Sequence, residues 1–166
     1  MGTLSGEEKP GFTVSTSSFQ ESRAIPAKFA MKAVEGGQNI SPGLSWGNLP
    51  EGTKTIAVTC IDIHPVAHKW VHWMVINIPA DSTGIPEGAS PGKMPKSSKE
   101  LKNSYGDEGY GGPQPPKGSG VHSYIFTVYA LSGQINTSGS VSEDAFLKLI
   151  SGKVIAKSQL TGTFSR

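Results

Sequence analysis

"KTIAVTCIDI", residues 54–63, is the clearest buried strand of the chain, a near-continuous run of β-branched and small apolar residues. Outward from it the same grammar repeats. "HKWVHWMVINIP" (68–79) reads as the next strand, stopped by Pro79. Upstream, "GFTVSTSSF" (11–19) alternates Phe12 and Val14 with polar neighbours, and "IPAKFAMKAV" (25–34) predicts a second strand before the turn signal "EGGQN". Downstream, residues 80–121 show almost no apolar period, and a loop that long in a compact domain usually carries function. "SYIFTVYAL" (123–131) follows as a strand. Only the C-terminal part reads as helical. Ser140 and Glu143 have capping-box spacing, with Ser142 as an alternative cap. Phe146, Leu147 and Ile150 make the stripe, and Gly152 marks the stop. A short second helix over 153–158 and a final strand, "LTGTFSR", are expected next. Strands first and helices last predict a mainly β protein, an antiparallel sandwich with C-terminal helices.

Length and charge bound the rest. At 166 residues the chain fits one domain, 1–166, able to bury about 70% of its unfolded surface. Twenty-one glycines and twelve prolines favour turns and short strands over long helices. One cysteine, Cys60, allows no intrachain disulfide and suits a reducing compartment. The opening "MGTLSGEEKPGFTV" lacks the features of a signal peptide, and no apolar run approaches a membrane span. The expected location is the cytoplasm. A net charge of +2 does not suggest a nucleic-acid partner.

Strand side chains alternate, so residues two apart share a face. That puts Asp62 in line with Ile56, Val58 and Cys60. It groups Trp70, His72 and Met74 on one face of their strand, with Val71, Trp73 and Val75 on the other. His122 and Tyr124 share a face with Phe126 and Val128. Three apolar strands thus each carry an ionisable group near one end. If those ends converge, Asp62, His72 and His122 form a carboxylate–imidazole cluster backed by Trp70 and Tyr124. Above it would lie the irregular "GYGGPQPPKGSG" (109–120). A strand-end histidine taken alone is more often structural. Three such groups beside one glycine-rich loop make an anion pocket, with phosphate the obvious candidate.

Rival signals are weaker. "GLSWG" (43–47) matches the G-x-S-x-G nucleophile pattern around Ser45, but turn-like flanks replace the required strand and helix. His64, His68 and His72 have zinc spacing only on a helix, which Pro65 disfavours. A site from Asp62, His64 and His72 ranks below the anion pocket, and no cofactor motif is present. A hydrolase or metal-dependent enzyme using Asp62, His72 and His122 is the alternative, although no nucleophile is evident.

"ISPGLSWGNLP", "DIHP…WVHWMVINIP" and "YGGPQPPKGSGVHSYIFTVYAL" together resemble the signature blocks of the phosphatidylethanolamine-binding, or Raf kinase inhibitor-like, family in its bacterial and archaeal branch. The likeness spans residues 10–165. It implies a Greek-key pair of antiparallel sheets and a non-catalytic pocket for phosphate, acetate or a phosphoethanolamine headgroup. The family's pocket residues fall on Asp62, Trp70, His72, His122 and Tyr124, and its Gly/Pro rim on Gly112, Pro113, Pro115 and Pro116. The first block is one residue short of the family's Asp-Pro-Asp-Ala-Pro. Asp62 therefore matches either family aspartate, and His64 stands in for the other. Ser123 replaces the family's usual arginine. Inhibition of a kinase or serine protease partner is implied for some relatives, and a homodimer is left open.

Overall fold

The computed structural model describes residues 11–166; the opening stretch "MGTLSGEEKP", with the expectation drawn from it, lies outside them. Nine strands form two sheets. The smaller has β1 (Thr13–Ser15), β3 (Leu44–Gly47) and β6 (Gly84–Ile85) in the order β1-β3-β6. The larger contains β2 (Arg23–Ala24), β4 (Thr55–Asp62), β5 (Trp70–Pro79), β7 (Lys99–Glu100), β8 (His122–Leu131) and β9 (Val154–Phe164). Its order is β2-β9-β8-β4-β5-β7. Within it, β4, β5 and β7 pair in sequence and β8 returns to the free edge of β4, all antiparallel. That return is a Greek key.

All eight residues of β4 are buried because the large sheet is covered on both faces. Ile56, Val58, Cys60, Phe126, Val128 and Trp73 pack between the sheets. Ala57, Ile61, Met74, Ile76 and Tyr129 pack on the opposite face, beneath Ile135 and one helix, α1 (Glu143–Ile150). Ser142, not Ser140, caps α1 by accepting from the Ala145 N–H at 3.1 Å. Phe146 and Ile150 turn inward, while Leu147 stays exposed.

Two sequence expectations fail. Residues 153–158 form no second helix, since β9 runs unbroken from Val154 to Phe164 along β8. The open edge of β8 offers ten residues of pairing, which outweighs a weak local helix preference. Nor is 25–34 a strand. Pro26 starts a 3-10 turn, Ala27–Phe29, and the backbone beyond it bonds elsewhere. Met31 N–H donates to the Pro113 carbonyl at 3.0 Å, and the Phe29 carbonyl accepts from the Tyr110 hydroxyl at 2.8 Å. The segment serves as a brace behind the Gly/Pro loop.

Candidate functional site

The ends of β4, β5 and β8 meet as the alternation predicts. Asp62 stands opposite Trp70 on one side and Tyr124 on the other. His72 reaches the same point through a bulge. Cys60 pairs with Trp73 while Ile61 pairs with Val71, leaving His72 as the extra residue. The bulge breaks the expected faces of β5. Val71 joins Met74 and Ile76 under α1, whereas Trp73 and Val75 point between the sheets. Met74 therefore does not share the face of His72.

Asp62, Trp70, His72, His122 and Tyr124 line a cavity of about 430 Å³, together with Val66, Ala67, Tyr105, Gln114, Pro115 and Pro116. On its floor Asp62 Oδ2 lies 2.7 Å from His122 Nδ1, both side chains nearly inaccessible. Asp62 Oδ1 accepts from the His64 backbone N–H at 2.9 Å. His122 Nε2 lies 2.8 Å from Ser119 Oγ, whose single proton is directed 2.6 Å away at the Pro116 carbonyl. Both ring nitrogens of His122 thus lie at hydrogen-bonding distance from a partner, Nδ1 from Asp62 and Nε2 from Ser119. Asp62, His122 and Ser119 are placed like an acid–base–nucleophile relay, but the serine proton points away from the base. The other thiol or hydroxyl candidates are worse placed. Cys60 is buried, and that burial, then the Asp62 charge, hold its thiol well above the usual range. Ser45 lies exposed on β3 of the small sheet, with strand rather than a strand–turn–helix around it.

His72 donates from Nδ1 to the Gly111 carbonyl at 2.7 Å. Burial pushes its ring down to about 4, against the opposing pulls of that carbonyl and of Asp62. It is therefore neutral at pH 7. Its Nε2 carries a lone pair with no hydrogen-bond partner among the described residues. Tyr124 is the second unfilled group: its hydroxyl is buried and unpartnered. Burial first, and the Asp62 charge next, hold this phenol far above its usual range, yet it does not meet Asp62 in hydrogen-bonding geometry.

The remaining expected residues take other places. His64 does not line the cavity; its ring stacks on His122 at 3.9 Å and 8°, and its Nδ1 accepts from the Val66 N–H at 3.1 Å. Gly112 and Pro113 lie behind the rim. Gly112 donates to Asn39 Oδ1 and accepts from the Tyr105 hydroxyl, and a Cβ there would strike the Phe29 carbonyl. Pro115 and Pro116 do form the wall. His68 is exposed, and among the described residues no three His, Cys, Asp or Glu side chains converge to hold a metal. Tyr105, Ser119 and Gln114 escaped sequence reading. They lie where no periodicity assigns a face, and only their nearness to the Gly/Pro loop could have singled them out.

A two-sheet β fold with a recessed aspartate–histidine pocket at the strand ends defines a class of binding domain. The family model for phosphatidylethanolamine-binding protein matches residues 15–165, and the chain belongs to that family. It is 36% identical over 152 residues to a UPF0098 protein of Methanothermobacter thermautotrophicus, covering 91% of this chain and 97% of that one. It is also similar to the crystal structure of Escherichia coli YbcL, described as a member of the mammalian PEBP family. There the TM-score is 0.86 and the identity 32%, over 93% of this chain and 98% of that one. A Mycobacterium tuberculosis relative, 30% identical over 92% of this chain and 71% of its own, is named as a lipoprotein, LppC. Membership of the family thus does not fix a compartment. Among the described residues no helix is long and apolar enough to cross a membrane.

Proposed function

We propose that the chain is a non-catalytic binding protein whose pocket takes a small oxyanion, inorganic phosphate or the phosphate of a phosphoethanolamine headgroup. The observation that carries this reading is the buried, unpartnered Tyr124 hydroxyl in the pocket that His122 also lines. A buried donor without an acceptor costs about 1–3 kcal/mol, which an incoming oxygen would recover. His72 Nε2 complements them, accepting a P–OH proton or taking up a proton as the anion enters. Trp70 and Val66 leave apolar surface at the mouth, suited to the carbon part of a headgroup. In its wider form the reading adds inhibition of a kinase or serine protease that meets the filled pocket at this mouth. A single cysteine, buried and reduced, fits the cytoplasm as the setting.

The test is a proton NMR titration of the histidine rings with inorganic phosphate and, separately, O-phosphoethanolamine. Saturable shifts of His72 and His122 with one midpoint are expected. The titration midpoint of His72 should rise from about 4 in the bound form, since an anion favours the protonated ring. Silence of both rings with both ligands would overturn the reading.

A further inference from the structure

Every hydrogen-bonding position of the Asp62–His122 pair that the described residues occupy is accounted for, and one occupant differs from the rest. Asp62 is held by the backbone of β4's own continuation, through the His64 N–H, and His122 Nδ1 is held by Asp62. His122 Nε2, by contrast, is covered by Ser119 at 2.8 Å, a half-buried side chain on the exposed turn that follows Pro116. The glycines on either side, Gly118 (φ +78°) and Gly120 (φ +89°), both lie in the left-handed region. A Cβ at either would meet nothing within 4 Å, and the turn is tied by two backbone hydrogen bonds, Gly118 N–H to the Arg166 carbonyl at 3.2 Å and Ser119 N–H to the Pro116 carbonyl at 3.1 Å. Ser119 Oγ, which also lies 2.6 Å from the Pro116 carbonyl, therefore occupies the position that an oxyanion would need to hydrogen-bond with His122 Nε2.

We propose that Ser119 is an internal competitor for the pocket's anion: its Oγ caps His122 Nε2, and a bound oxyanion must displace it. This rests on the oxyanion reading above and adds the regulation of that site. When the anion arrives, one oxygen replaces Oγ as the hydrogen-bonding partner of His122 Nε2, and the Gly118–Gly120 turn swings the serine outward. Ser119 keeps its proton on Pro116 or on water, and no covalent bond is made or broken. The affinity of the pocket is then set partly by this one hydroxyl.

The experiment compares phosphate binding by calorimetry in wild type, Ser119→Ala and Ser119→Thr. Each titration is paired with an NMR spectrum of the Gly118, Ser119 and Gly120 amides. Loss of one hydrogen-bonding competitor predicts about fivefold tighter binding in Ser119→Ala. Ser119→Thr keeps the hydroxyl and should stay within about twofold of wild type. The three turn amides of the wild type should shift with the same midpoint as His122. Weaker binding in Ser119→Ala would make Ser119 a direct ligand contact and overturn the proposal. Unchanged binding, or turn amides that stay still at saturation, would overturn it too while leaving the oxyanion reading intact. Failure of wild type and both variants to bind phosphate would remove the oxyanion reading and this proposal together.

Discussion

His72 is neutral in the folded chain because burial of its ring outweighs the pulls of the Gly111 carbonyl and of Asp62 toward the cation. Its folded midpoint of about 4 lies below the 6.5 of an unfolded histidine. Between those values the unfolded chain binds a proton that the folded chain refuses, so stability rises with pH across that window. The contribution is fully present above about pH 6.5, falls as the pH drops, and levels off below about 4. Its size is of the order of 3 kcal/mol. Urea unfolding of wild type and His72→Gln between pH 4 and 7 measures it: the difference between the two should shrink as the pH falls. A constant difference would refute the assignment. Ser119, three residues before His122, is only half-buried and touches the ring through its hydroxyl, 2.8 Å from Nε2.

At the scale of elements, the Gly/Pro segment 109–116 is not a loose loop but a strap tied at both faces. Gly111 bonds reciprocally with His72, and Gly112 with Asn39 and Tyr105. Gly112→Ala should push a methyl into the Phe29 carbonyl and cost about 1–3 kcal/mol, read as a lower urea midpoint with an unchanged slope. Because the strap also fixes the His72 tautomer through Gly111, that variant should bind phosphate more weakly even where it remains folded. The three strands that carry the site were legible in the sequence. Period-two alternation located Asp62, His122 and Tyr124, and the apolar run of β4 marked the middle of the sheet. Two kinds of information were not. The one-residue bulge at His72 is a property of pairing, invisible in β5 alone, so the partition of Val71 and Trp73 came out wrong. The strand character of 153–158 is likewise set by the neighbouring edge of β8, not by "KVIAKS" itself. Tyr105 and Ser119 sit in turns, where no periodicity tells which side chain faces inward.

For the molecule as a whole, a ligand that binds only the folded state stabilises it by about 2.7 kcal/mol at one hundred times its dissociation constant. In a chain of this size that corresponds to a rise in Tm of roughly 5–10 °C. Calorimetric scans in phosphate should show it, and scans in chloride at matched ionic strength should not. An equal shift in both salts would indicate general screening rather than a filled pocket. The two cores on opposite faces of the large sheet share β4, β5 and β8, so the gain should appear as one cooperative transition.

The Asp62–His122 contact joins residues sixty positions apart in the chain. It exists only after β8 has crossed the β4–β5 hairpin and zipped along the far edge of β4. Such distant closures come late and slowly in folding, because the entropy of a long loop must be lost before any contact offsets it. The β4–β5 hairpin forms locally but brings together only half the floor. If the pocket takes an oxyanion as proposed, a nascent or partly folded chain would not hold it, and occupancy of the pocket would report that folding is complete.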